Sequence, residues 1–79
     1  MEDTLLSRIE TNPQVLTGKP IVRGLRISVD QILKSLAAGI ETEELLSEYP
    51  ELESEDIKAC LLYAAKLVEE ERVYPIRVS

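Results

Sequence analysis

The residues best equipped for chemistry sit in TGKPIVRGLRISVDQIL, positions 17–33. Lys19, Arg23 and Arg26, with Lys34 just beyond, form a positive patch if a bulge at Gly24 turns both arginines to solvent. A helix opening at Ser28 would add the positive end of its dipole, and the set would then suit contact with a phosphate backbone. It does not suit a nucleotide-hydrolase loop. Gly18-Lys19 is followed by Pro20, which has no N–H to offer, and no earlier glycine stands at the required spacing. A dinucleotide fingerprint is absent too. The same four cations would equally solubilise a strand edge and discourage edge-to-edge pairing, and both readings stay open.

Catalytic residue types are scarce. The chain has no histidine and one cysteine, and Cys60 falls on an apolar helical stripe where a thiol is unreactive. The acids between Glu41 and Asp56 fall on two helix starts and on polar faces, where charge is normally solvated. Glu55 and Asp56 are adjacent, so on a helix they diverge, and no third ligand completes a cation site. Tyr49, Tyr63 and Tyr74 suit packing and interfaces rather than a base-stacking platform. We expect no enzyme, no metal and no cofactor.

Bulk properties narrow the partners. A chain of 79 residues hides only about 60 to 65 per cent of the surface its unfolded form exposes. With one cysteine and no histidine, neither a disulfide nor a metal reinforces so small a core, which leaves self-association. The net charge of −6 is unevenly spread: residues 1–34 carry five basic and four acidic side chains, residues 35–79 four and eleven. One half could touch phosphate; the other would repel it. The single cysteine suits a reducing compartment, the N-terminus lacks a basic and apolar leader, and no apolar run approaches the roughly 20 residues of a bilayer crossing. The expectation is a cytoplasmic protein without a membrane span.

The positioning elements can be read from turns and periods. Asn12-Pro13 and Gly18-Lys19-Pro20 are turn signals, so a hairpin with strands at residues 7–10 and 20–27 is expected. From Val29 the apolar period lengthens to about 3.6, with Val29, Ile32, Leu33, Leu36 and Ile40 on one face. Ser28 caps this helix, Gln31 completes a capping box and Gly39 stops it. A second, short helix is capped by Thr42 and ends before Pro50. A third, capped by Ser54, runs from about residue 55 to 71.

That last helix is too apolar for its own domain. Ile57, Cys60, Leu61, Ala64, Leu67 and Val68 make a core stripe, but Leu62, Tyr63 and Ala65 lie outside it, beyond the usual arc of about 100 degrees. We expect a dimer seam involving Leu61, Leu62, Ala65 and Val68. The tail regains alternating β character at Tyr74, Pro75, Ile76 and Val78, which could dock on a partner's sheet edge.

Two segments, NPQVLTGKPIVRGLRISV and ILKSLAAGIETEELLSEYPELESEDIKACLLYAA, resemble the domain of unknown function 433 family, short bacterial proteins often classed as VapB-like antitoxins. The resemblance covers nearly the whole chain, with Leu25 where the family usually has threonine and Thr17 where glycine is frequent. It implies a mainly α single domain over 1–79: a β-hairpin arm (1–27), a three-helix homeodomain-like helix-turn-helix core (28–72) and an extended tail (73–79). It further implies a homodimer that neutralises a PIN-like ribonuclease toxin encoded nearby and binds its operator DNA through the last two helices. The residues themselves pull another way. A recognition helix presents its N-terminus to the major groove, and here that end reads Glu53, Ser54, Glu55, Asp56. The alternative is an acidic protein-interaction module with no nucleic-acid role.

Overall fold

The computed structural model describes residues 2–70, and the chain is mainly helical. Four helices, α1 (Glu2–Leu6), α2 (Val29–Ala37), α3 (Thr42–Glu48) and α4 (Ser54–Glu70), accompany two short antiparallel strands, β1 (Ile9–Glu10) and β2 (Ile21–Val22). The tail with Tyr74, Pro75, Ile76 and Val78 lies outside the described residues. α1 was not foreseen, so the expectation of three helices is corrected to four. Its five residues are too few to form a helix from propensity alone, and packing against α4 supplies what the local sequence does not.

The hairpin is shorter and more folded than its sequence suggests. Ile9 pairs with Val22 and Glu10 with Ile21, so the expected first strand at 7–10 shrinks to two residues, Ser7 and Arg8 being in a turn. Residues 20–27 are not one strand with a bulge. The Leu25 amide donates to the Val22 carbonyl at 2.7 Å, and Gly24 has φ +75°, the conformation that a type II turn demands at its third position. The chain therefore doubles back: Val22 N–H reaches Ile27 O at 3.0 Å, Val29 N–H reaches Pro20 O at 2.9 Å, and Ile21 bridges Ser28. Flanked by β1 and by this return, Ile21 and Val22 are both buried, which no alternation of one face in and one face out would allow.

The loop between β1 and β2 uses the turn residues as expected. The Asn12 side chain accepts from the Gln14 amide at 2.9 Å, and a short 3-10 segment follows at Leu16–Gly18. Leu16, Thr17 and Gly18 all have positive φ, at 50°, 55° and 83°. Left-handed backbone of this kind is disfavoured for a β-branched residue, so Thr17 sits in a strained conformation.

Ser28 caps α2, its hydroxyl accepting from the Gln31 amide at 3.2 Å. Gln31 does not reciprocate; its side-chain amide donates instead to the Tyr49 hydroxyl at 2.9 Å and ties α2 to the end of α3. Gly39 closes α2 with φ +97°, and the Ile40 amide reaches back to Ser35 O at 3.0 Å, as a Schellman stop requires. α3 is capped one residue earlier than expected, at Glu41 rather than Thr42.

α4 packs against α1, α2, α3 and β1. The core joins Val22, Ile27, Val29, Ile32, Leu45, Leu52, Ile57 and Cys60, with Leu33, Leu36, Ile40, Tyr49 and Tyr63 packed onto it. The expected α4 stripe is only half right. Ile57 and Cys60 are buried, with Ala59 beside them, but Leu61, Leu67 and Val68 are 50%, 43% and 70% exposed. A helix of about 25 Å outruns the body available to cover it, and full burial stops at Cys60.

Candidate functional site

The strongest polar constellation joins the hairpin to the start of α4. Asp56 is 0% exposed and its carboxylate accepts four hydrogen bonds. Arg23 grips it with both ends of its guanidinium, Nε to Oδ1 at 2.9 Å and Nη2 to Oδ2 at 2.7 Å. Arg8 Nη1 reaches Oδ1 at 2.9 Å, and the Glu53 amide donates to Oδ2 at 2.8 Å. Arg8 also pairs with Glu53 Oε1 at 2.8 Å, and Arg23 Nη2 donates to the Glu51 carbonyl at 2.9 Å.

The local sequence dictates this geometry. Asp56 lies in the first turn of α4, where a carboxylate can bond back to the amide three residues earlier. The turn at Gly24 aims Arg23 at it, and the end of α1 brings up Arg8. Burial pushes the Asp56 carboxyl up, but the bonds from Arg23, the Glu53 amide and Arg8 outweigh it and hold the group below its ordinary range. The arginines are raised in turn, Arg8 first by Glu53 and Arg23 first by Asp56. A sealed carboxylate held below its ordinary range and gripped by four donors is a clamp rather than a proton-transfer group near neutral pH.

The expected positive patch is thereby divided. Arg23 lines a shallow groove with Thr4, Ser7, Arg8 and Glu53, and its guanidinium belongs to Asp56 instead of facing solvent alongside Arg26. Lys19 and Lys34 line a different open groove, with Ser28, Asp30 and Gln31 at the start of α2. There Asp30 answers them, at 3.5 Å to Lys19 and 3.6 Å to Lys34. The Ser28 hydroxyl donates to Asp30 at 2.6 Å and is the main cause of that carboxyl's lowered pKa. Arg26 is exposed and makes no ion pair among the described residues.

Cys60 is buried, and burial, helped by the Asp56 charge, pushes its thiol up to about 11. Near neutral pH it is protonated and out of reach. The residues expected at a seam separate into two sets: Leu61, Ala65 and Val68 are exposed, whereas Leu62 is half-buried. Leu61, Ala65 and Val68 follow one another at one-turn steps on α4, so Leu61 and Val68 belong to its outer face and not to the core stripe in which they were also expected.

Sequence reasoning passed over Arg8 and assigned Asp56 to solvated surface charge. The available signal was the spacing of Glu53 and Asp56, three positions apart across a helix start, combined with arginines in the hairpin that lacked a local acid. Among the described residues no cluster of three or more acids, histidines or cysteines could hold a metal, and no helix is long and apolar enough to cross a membrane.

Fold and site together define a small helical module whose N-terminal hairpin is locked to its longest helix by a buried arginine–aspartate clamp. The chain belongs to the family described as Protein of unknown function (DUF433), which it matches over residues 9–64, as the two quoted segments suggested. It is similar to Uncharacterized protein y4eO of Sinorhizobium fredii (strain NBRC 101917 / NGR234), 38% identical over 56 residues that make up 71% of this chain and 25% of that protein. The chain thus spans about a quarter of the length of that relative. No solved structure matches.

Proposed function

We propose that the protein is a non-catalytic binding module, an antitoxin-like partner that covers the basic, RNA-handling surface of another protein with its own acidic half. One observation carries this reading. Glu41, Glu43, Glu44, Glu48 and Glu51 are all exposed and have no ion-pair partner among the described residues, whereas Arg8, Lys19, Arg23, Lys34 and Lys58 are each engaged by an acid of the chain itself. The surface around α3 is left with a negative field that steers a cationic surface toward it and rejects nucleic acid. The closed Asp56 clamp and the buried Cys60 fit a module that binds rather than reacts.

The partner expected is a PIN-like ribonuclease toxin, and the product of the neighbouring gene is the protein to try. Co-expression and affinity copurification should yield a complex whose association slows with added salt. Replacing Glu43, Glu44 and Glu48 together by lysine should abolish it while leaving the circular dichroism spectrum unchanged. Capture that ignores both salt and these charges would overturn the reading.

A second reading, operator binding by a homeodomain-like helix-turn-helix of α3 and α4, is favoured by Arg26, exposed and without an ion pair among the described residues, and by Lys19 and Lys34 beside the start of α2, where both share Asp30. Two protomers would then meet half-sites about 34 Å apart. Gel shifts with the upstream DNA should weaken steeply with salt and fail when Lys19, Arg26 and Lys34 are all alanine. Exposed Glu53 and Glu55 at the start of α4 make this the lesser reading.

A further inference from the structure

We propose that the groove beside the Asp56 clamp is a binding site for the carboxylate of an acidic peptide, a place that the chain's own Glu53 fills at rest. Thr4, Ser7, Arg8, Arg23 and Glu53 line this groove of about 400 Å³, and its two guanidinium groups are held by the fully buried carboxylate of Asp56. That hold does not use them up. An arginine has five N–H donors. Arg8 spends the two of Nη1 on Asp56 Oδ1 and Glu53 Oε1, and its Nε and Nη2 make no bond among the described residues. Arg23 spends Nε on Asp56 Oδ1 and Nη2 on Asp56 Oδ2 and the Glu51 carbonyl, and its Nη1 likewise makes none. Asp56 thus fixes two planar donor arrays while leaving part of each unspent, and groups already fixed lose little freedom when a ligand arrives.

Glu53 shows which chemistry the pair accepts. Its Oε1 lies between the two arginines, 2.8 Å from Arg8 Nη1 and 3.9 Å from Arg23 Nη2. The Glu53 side chain is 61% exposed, and an ion pair so open to water is worth little. Asp56, by contrast, cannot leave without stranding both arginines. One carboxylate is therefore structural and the other replaceable. With Glu53 in place, two cations face two carboxylates and the charges cancel; with Glu53 turned out to solvent, one positive charge is left for a newcomer. The groove is too shallow to enclose a small molecule, so it suits an aspartate or glutamate side chain presented by a peptide. None of the lining residues lies on α3, so this site and the masking function can fail separately.

The test is a titration of the full chain, at constant ionic strength, with a blocked peptide of alanines around one glutamate. The Arg8 Nε–H signal in nitrogen–proton spectra should move in a saturable way, and the same peptide carrying glutamine should leave it in place. Acetate should act more weakly, since it touches the arginines alone; equal potency would overturn the peptide as the source of the carboxylate. Glu53→Ala should tighten peptide binding about fivefold, the equivalent of one exposed ion pair removed. Glu55→Ala deletes the same charge two positions away, outside the groove, and should not. Both positions are exposed, so both variants fold. Arg8→Lys keeps the charge but has no Nε and no second terminal nitrogen, and should lose most of the affinity. An Arg8 signal that does not respond to the glutamate peptide, or Glu53→Ala binding no tighter than Glu55→Ala, would overturn the site.

Discussion

Two helices of this protein open on nearly the same words, Ser28-Val29-Asp30 before α2 and Ser54-Glu55-Asp56 at the start of α4, yet their aspartates do different work. Asp30 stays at the surface. Its neighbours are the hydroxyl of Ser28 and two loose lysines. Asp56 is sealed beneath two arginines from distant parts of the chain. A helix start attracts a carboxylate in either case; what separates the two is whether the chain returns to cover it. β2 and the turn at Gly24 return over Asp56, while Asp30 is reached only by its neighbour Ser28 and by the exposed side chains of Lys19 and Lys34. The first arrangement fixes the tertiary fold and the second decorates it.

The largest effect expected follows directly. Asp56→Asn removes the charge and leaves Arg8 and Arg23 facing each other without it, a loss of about 3–5 kcal/mol for breaking a buried pair. That is a large share of the roughly 5–15 kcal/mol that holds a small domain together. Urea unfolding should show a midpoint far below that of wild type. If Asp56→Asn is no worse than Asp30→Asn, the clamp is ornamental and the contrast between the two helix starts collapses.

Acid should separate the same two sites. The folded Asp56 carboxyl lies below its ordinary value of 3.8, so the stability it contributes is complete above that value and is lost as pH falls from there through the folded value. The wild type should hold a flat unfolding free energy near neutrality and lose it below about pH 4. Asp30 is also lowered, but at an exposed site the same protonation is worth far less. Circular dichroism against pH should therefore give nearly the same acid midpoint for wild type and Asp30→Asn.

Arg23→Lys sharpens the comparison further. Lysine keeps the charge but cannot reach Oδ1, Oδ2 and the Glu51 carbonyl from one planar group. The melting temperature should drop by roughly 5–10 °C, less than for Asp56→Asn. A melting curve that matches wild type would mean that charge alone, not the paired geometry, holds the hairpin to α4.

These contrasts also mark how far the sequence could be followed. Elements announced by local signals were legible: the cap at Ser28, the Gly39 stop, the break before Pro50, and the long last helix, which takes in Ser54 as its first residue instead of using it as the cap. Features set by distant partners were not. Nothing near Glu2–Leu6 declares a helix, because α4 supplies its stabilising surface. Period-two alternation read residues 20–27 as one strand, although Gly24 was already the residue to distrust, and the turn there reverses the chain. At the candidate site, Lys19 and Lys34 were placed together correctly in kind, but Arg23 was counted as free because the acid that binds it is remote in sequence. The apolar excess of α4 was visible as excess. Which of its residues are inside was not, since periodicity gives a face and only packing gives its depth.

The smallest effect tests the surface member of the pair. Asp30→Asn should cost less than about 1 kcal/mol, because Lys19 and Lys34 are long, well-solvated side chains whose gain in pairing is nearly balanced by lost freedom. Salt distinguishes this from a buried role. Screening at high ionic strength weakens contacts between exposed charges and leaves sealed ones almost untouched. The gap in unfolding free energy between wild type and Asp30→Asn should shrink toward zero on adding molar salt, leaving the Ser28 cap on the Gln31 amide to hold the helix start. Should the gap persist, Asp30 contributes through its bond to the Ser28 hydroxyl rather than through the lysines, and those two cations are then available to an external anion.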